Sequence, residues 1–177
     1  MNDRREPPAA YDHRPLVIGV GNVHRHDDAA GLEVADQVGA RLGGRVRAIQ
    51  FDGESTGLLD LWTGVGFVVL VDAVPSQGKP GRFHRFEGDL ARFLSGSPTT
   101  STHGLSVGEA WRLGATLQRL PKRLVIFGVE GEDFSPGIGL SPAVLQVLAP
   151  LAGAVVAEIA LHDPAARARR GPESTDA

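Results

Sequence analysis

Residues 67–73 read FVVLVDA, a run of five apolar residues that ends on an acid. A run this short, rich in β-branched residues and without polar alternation, suits a central strand covered on both faces, as the strands of a parallel sheet are. Stretches of the same character lie on either side of it. Pro15–Val20 (PLVIGV), Val46–Phe51 (VRAIQF) and Arg123–Val129 (RLVIFGV) are short, branched and bounded by Gly, Asp or Pro. Gly81–Glu87 adds a shorter strand after the turn cluster PSQGKPG at 75–81. Between these runs the apolar spacing becomes helical: Leu32, Ala35, Val38 and Leu42 form one stripe, and Val107, Ala110, Trp111, Gly114 and Leu117 another. A last helix begins with Ser141 as N-cap and Pro142 at its first position, and a kink is expected at Pro150. Gly57–Trp62 forms a shorter helix. Strands alternating with helices define an α/β fold, a three-layer, open, twisted and mostly parallel sheet with helices on both faces.

The chain of 177 residues is long enough for one domain with a real core, here 15–162. Residues 1–14 are polar and Pro-containing, and 163–177 mix arginines, acids, Pro and Ser; both are expected to be disordered. The formal net charge of −3 and the lack of a basic block argue against nucleic acid as a partner. With no cysteine, thiolate metal sites, disulfides and cysteine nucleophiles are excluded, so chemistry must use oxygen and nitrogen groups. The most membrane-like stretch, Pro142–Leu161, is broken by Gln146, Pro150 and Glu158 and reads as a buried helix, not a membrane insertion. With no apolar signal region at the start, the expected location is cytoplasmic.

Open parallel sheets bind ligands beyond the carboxyl ends of their strands, so polar residues there are the first candidates. Gly19–Gly31, GVGNVHRHDDAAG, follows the first strand. Its G-x-G matches a dinucleotide fingerprint only in part, because His24 stands where the third glycine belongs. Asp27 and Asp28 precede a helix, where a carboxylate is favoured as a cap and by the helix dipole. Two acids together with His24 and His26, however, concentrate metal-compatible donors in one loop. Asp27 is also a candidate general base, since an acid beside a like charge can have a raised pKa. Asp72, ending FVVLV, either caps a turn or faces a site, and His103 sits in SPTTSTHGL just before a helix. A rival reading comes from Gly53–Gly57, GESTG, which satisfies the G-x-S-x-G nucleophile pattern between a strand and a helix. Ser55, Asp72 and His103 would then form a hydrolase triad. Against it, no oxyanion loop is visible, and a Gly-rich loop around a capping Ser55 or Thr56 explains the pattern as well.

Taken in order, these motifs resemble the hydrogenase maturation endopeptidases, which process the large subunit of nickel-iron hydrogenases. The resemblance spans roughly Leu16–Leu161. It rests on GVGN followed by Asp27, Asp28 and Gly31, on DGESTG at 52–57 in the place of D-G-G-T-x-G, on Asp72-Ala73, on THGLS, and on GVEGEDFSPGIGLSPAV at 128–144. Ala29 and Glu54 depart from it, each standing where glycine is usual. The resemblance implies that Asp28, Asp72 and His103 form a metal-binding, catalytic trio. It also implies that the nickel is supplied by the substrate, a hydrogenase large-subunit precursor, with no tightly bound cofactor of the enzyme's own. The expected activity is removal of a C-terminal extension after nickel insertion. The serine hydrolase and a noncatalytic nickel-binding accessory protein are the alternatives. His24 is expected to be exposed, and His26 is either an extra ligand or a loop residue.

Overall fold

The computed structural model describes residues 13–76, 78–88 and 102–162, with 102–106 described by backbone alone. Most of the expected lead-in 1–14 and the whole tail 163–177 lie outside the described residues. The elements in chain order are β1 (Leu16–Val20), a 3-10 turn (His26–Ala29), α1 (Ala30–Leu42), β2 (Arg47–Phe51), α2 (Ser55–Trp62), β3 (Phe67–Pro75), β4 (Phe83–Glu87), α3 (Thr102–Thr116), β5 (Arg123–Gly131) and α4 (Pro142–His162). A further short 3-10 turn, Gly43–Arg45, links α1 to β2.

The five strands form one sheet in the order β2-β1-β3-β5-β4, parallel except for β4, which pairs antiparallel with β5 at the edge. β3 sits in the middle, as its uniform apolarity requires: Val68, Val69, Leu70 and Val71 are all 0% exposed. Because side chains alternate along a strand, these residues divide between two cores. Val69, Val71 and Ala73 join Val125 and Phe127 against Val34 and Val38 of α1 and Leu151 and Val155 of α4. Val68 and Leu70 join Ile18 and Ile126 against Leu58 and Trp62 of α2 and Val107 and Ala110 of α3. Each fully buried Val or Leu stabilises the fold by about 1.5–3 kcal/mol, so the central strand carries a large share of the apolar stabilisation on both sides.

α1 takes the chain from β1 out to β2 across one face, and α2 brings it back past β1 to β3 across the other. The strand order therefore reverses between β1 and β3. A crevice opens at such a reversal, beyond the carboxyl ends of the two strands, and it is the usual ligand position in doubly wound sheets.

Three boundaries differ from the sequence expectation. β3 continues through Pro75, because β5 keeps pairing with it as far as Pro75 against Gly131, so Asp72 lies within the strand opposite Gly128 and not past its end. α3 starts at Thr102, which puts His103 in the first helical turn instead of before it. α4 is assigned without a break from Pro142 to His162 through Pro150. By length and composition it would span a bilayer. Here its stripe of Val144, Leu148, Leu151, Val155 and Ile159 packs on the sheet, as a buried helix should.

The same stripe carries Glu158, a carboxylate only 5% exposed, near the amino ends of the strands and far along α4 from Ser141. Arg85 of β4 donates to it through Nε at 2.6 Å and through a terminal nitrogen at 2.9 Å, and Arg123 and His162 lie within 3.4 and 3.2 Å. The Arg85 hydrogen bonds hold the Glu158 carboxyl below its ordinary value of 4.5, and the same bonds raise the pKa of Arg85. A buried charge is tolerable only when paired and hydrogen-bonded in this way.

Candidate active site

After β1 the chain must turn into α1 within the crevice, and glycine makes the approach close enough. A Cβ placed on Gly31 would lie 2.3 Å from the carbonyl oxygen of Val20 and 2.4 Å from that of Val71. The first turn of α1 therefore sits directly on the carboxyl end of β1 and on β3 at Val71. Likewise a Cβ on Gly21 would lie 1.8 Å from the carbonyl oxygen of Asp28. These approaches bring the turn that bears Asp28, three residues before Gly31, against β3 at Val71, the residue before Asp72. Both acids are deeply buried, Asp28 at 2% and Asp72 at 0% exposure.

Alternation along β3 turns Asp72 to the same face as Val68 and Leu70, the face covered by α2 and α3. The backbone position of His103 is one turn ahead of Val107, which is buried in that same layer. The side chain of His103 lies outside the described residues. Among the described residues, no group of three or more His, Asp or Glu side chains is placed to hold a metal ion.

Asp27 has a different partnership from its neighbour. It is 0% exposed, and its Oδ2 accepts from the backbone N–H groups of Glu132 at 2.9 Å and Asp133 at 3.1 Å. Its Oδ1 accepts from the N–H of Ser141 at 2.7 Å, and its own N–H donates to the carbonyl of Asp133 at 2.9 Å. Asp27 thus ties the loop after β1 to the loop after β5 and to the N-cap of α4. Engaged at both oxygens by the main chain, it is a structural tether and not a cap of α1 or a general base facing the crevice.

His26 adopts a positive φ of 46°, a conformation that non-glycine residues seldom take. Its N–H donates to the carbonyl of Gly137 at 3.2 Å, and its Nδ1 lies 3.0 Å from the carbonyl oxygen of Gly139, which makes Nδ1 the protonated donor. A Cβ on Gly137 would come within 1.9 Å of the His26 Nε2, so only glycine lets the ring lie against that backbone. His26 is therefore a clamp on the loop that follows β5. His24 is exposed, as expected.

The GESTG segment does not form a nucleophile elbow. Outside glycine, the described residues with positive φ are His26 and Gln118, so Ser55 lacks the strained backbone such an elbow requires. Ser55 is the first residue of α2, and its Oγ donates to Glu109 of α3 at 3.2 Å. Neither Ser55 nor Thr56 caps the helix. That role belongs to Glu54, which accepts from the N–H groups of Thr56 at 3.0 Å and Gly57 at 2.7 Å. Those backbone bonds lower its pKa, and they give a helix-start function to a residue that the family resemblance treats as a departure. Another Ser, Glu and His group, at Ser76, Glu130 and His84, has the carboxylate in the middle, 2.7 Å from both partners. Ser76 donates to Glu130 and not to the imidazole, so the group joins the ends of β3, β4 and β5 without activating a hydroxyl.

Fold and site together define a doubly wound α/β protein with two buried acids at its strand-order reversal. Comparison with known proteins gives that class a family. Residues 54–158 match the HycI family model, described as hydrogenase maturation protease. The chain is 28% identical over 158 residues to the hydrogenase expression/formation protein HupD of Bradyrhizobium diazoefficiens, an alignment covering 86% of this chain and 82% of that one. It is 29% identical to the hydrogenase 2 maturation protease of Escherichia coli over 82% of this chain and 90% of that one. The solved structure of the Escherichia coli hydrogenase maturating endopeptidase HybD superposes with a TM-score of 0.74 at 25% identity, covering 85% of this chain and 94% of that one. The chain belongs to the hydrogenase maturation protease family, and it is a peptidase.

Proposed function

We propose that this peptidase removes the C-terminal extension of a nickel-iron hydrogenase large-subunit precursor after nickel insertion, and that Asp28, Asp72 and His103 engage the precursor's nickel. The observation that supports this reading is the burial of two carboxylates, Asp28 in the turn after β1 and Asp72 within β3, the two strands between which the order reverses, with His103 in the first turn of a helix that packs on the face to which Asp72 turns. Burying acids is unfavourable unless partners compensate, and function is a frequent reason for retaining them. Two carboxylates and an imidazole are suitable donors for nickel, and three ligands leave coordination positions to groups of the precursor. The protein needs no metal of its own in this scheme.

Water adds to the scissile carbonyl, the C–N bond breaks, and the leaving amine takes a proton. The trio orients the bond beside the nickel, which makes recognition of the metal and positioning of the peptide one event. Asp27 is committed to three amides and takes no part in moving the proton. The reaction is placed in the cytoplasm and requires neither nucleic acid nor membrane insertion.

Mass spectrometry of a nickel-loaded precursor after incubation with the protein provides the test. Wild type and Ser55→Ala should both shorten the precursor, whereas Asp28→Ala, Asp72→Ala and His103→Ala should leave it intact. Full activity in any of the last three removes that residue from the trio, and loss in Ser55→Ala would revive the serine hydrolase. Nickel-dependent binding without a change in precursor mass would favour the accessory protein.

A further inference from the structure

The loop between β5 and α4 carries Ile138, which is 80% exposed, the highest value among the described large hydrophobic residues. A single exposed apolar side chain is ordinary and by itself says nothing. What sets Ile138 apart is how firmly it is held out. Gly137, before it, accepts from the His26 N–H and donates to the His24 carbonyl at 2.8 Å, while the carbonyl of Gly139, after it, is bonded to the His26 ring. The flanks of the loop, Glu132, Asp133 and Ser141, are all fastened to Asp27. The loop is thereby denied the freedom to fold the isoleucine inward, and His26 adopts a strained backbone in holding it. Such strain persists where the surroundings enforce it, and it clusters at ligand clamps.

Beside Ile138 runs an open groove of about 620 Å³, lined among others by His26, Glu132, Asp133, Gly139 and Ser141. Among the described residues, no Lys or Arg lines it. Glu132 is exposed and makes no ion pair with a described residue, and Asp133, whose Oδ1 accepts from the N–H and hydroxyl of Ser135 at 2.9 and 2.7 Å, turns Oδ2 towards the His26 Nε2 at 3.9 Å. The groove is therefore negative at neutral pH, so a cationic side chain complements it. His26, one of its lining residues, belongs to the same 3-10 turn as Asp28, so the groove adjoins the turn that bears the site's first acid.

We infer that Ile138 and this groove are a docking surface for the hydrogenase precursor, with Ile138 packing against an apolar residue and the Glu132 and Asp133 carboxylates receiving a neighbouring basic side chain. The inference rests on the proposed function and names where its substrate is gripped. A side chain carried on backbone already fixed leaves less freedom to be lost on binding than one on a loose loop, which suits it to anchor a partner.

Steady-state kinetics on nickel-loaded precursor, with wild type, Ile138→Asp, Ile138→Leu and the double variant Glu132→Lys/Asp133→Lys, tests it. Ile138→Asp should raise KM by about tenfold or more, equivalent to about 1.4 kcal/mol, with kcat within about twofold of wild type. Ile138→Leu, which keeps an apolar side chain of the same size but a different shape, should raise KM by much less than Ile138→Asp. The charge reversal should also raise KM, and by less at high ionic strength. Melting temperatures of the Ile138 variants should match wild type, because that side chain is outside the core, and the charge reversal should lower the melting temperature only slightly through the lost Asp133 bonds to Ser135. Unchanged kcat/KM in Ile138→Asp overturns the inference, as does a fall in kcat at constant KM or a melting temperature lost with Ile138. If wild type leaves every precursor intact, the proposed function falls and takes the docking surface with it; wild-type processing with an indifferent Ile138→Asp refutes the docking surface alone.

Discussion

Replacing Asp27 separates a structural acid from a chemical one. In Asp27→Ala, the N–H groups of Glu132, Asp133 and Ser141 lose their acceptor at a position with 0% exposure. A buried donor left without a partner costs about 1–3 kcal/mol, so three of them cost roughly 3–6 kcal/mol once water entering the vacated space is allowed for. That is a large part of the roughly 5–15 kcal/mol that stabilises a typical domain. At about 2–4 °C per kcal/mol for a chain of this size, the melting temperature should fall by on the order of 10–20 °C. Asp27→Asn is the informative companion. An amide oxygen in the place of Oδ2 keeps the bonds from Glu132 and Asp133, but its NH2 then faces the Ser141 N–H, donor against donor. The cost should be intermediate, roughly 1–3 kcal/mol. Urea denaturation of the purified variants gives the stabilities, and precursor processing below the melting transition gives the activity. Asp27→Asn should process precursor at a rate that follows its folded fraction, with the pH profile of wild type. An Asp27→Ala protein as stable as wild type would refute the tether. A fully folded Asp27→Asn protein without activity would restore Asp27 as a general base.

Two other substitutions probe the scaffold. Gly31→Ala places a methyl group 2.3 Å and 2.4 Å from two strand carbonyl oxygens that have no room to move, so it should cost about 3 kcal/mol or more; a thermal melt within a few degrees of wild type would show that α1 does not sit as close as described. At the other end of the sheet, the Glu158 carboxyl is held below 4.5 by Arg85, so its contribution is complete above about pH 4.5 and is lost as pH falls through the lowered value. Melting temperatures taken from pH 7 downward should therefore decline below about pH 4.5 in wild type and decline less in Glu158→Gln, which starts lower at pH 7; parallel curves for the two proteins would exclude Glu158 from the acid response.

The parts of the structure visible in the sequence were those written in local pattern. FVVLV read as a doubly covered strand because uniform apolarity has few other uses in so short a run, and Ser141-Pro142 read as a helix start because both residues act on their own neighbours. Asp72 was expected to end its strand because the apolar run stops there, and the true length of β3 was not legible, since its last residues are ordered by pairing with β5 and not by apolarity. Asp27 and Asp28 are adjacent and chemically alike, and nothing local tells the tether from the candidate ligand. The partners of Asp27 are main-chain amides, which every sequence supplies and no sequence marks. Glu54 was hidden for the opposite reason: it stands where the family pattern expects glycine, and the change looks like a loss until its carboxylate is seen on the helix start. Nor does the strained φ of His26 have a signature, because glycine, the usual marker of such backbone, is on the other side of the contact at Gly137.

The Asp27 tether also sets when in its own life the enzyme becomes competent. The acceptor is made early, and its donors are 105, 106 and 114 residues further along the chain. A nascent polypeptide that has completed β1, α1 and even β3 has both buried acids in hand, but the turn that bears Asp28 still lacks the three bonds Asp27 makes to the loop after β5 and the start of α4. Closing so long a loop is entropically costly and slow, and it is rewarded only when α4 can dock. Residues as late as Ser141 at the start of α4 therefore fasten a turn made near the beginning of the chain, and removing the chain beyond β5 should loosen the turn that bears Asp28 from the far end of the sequence.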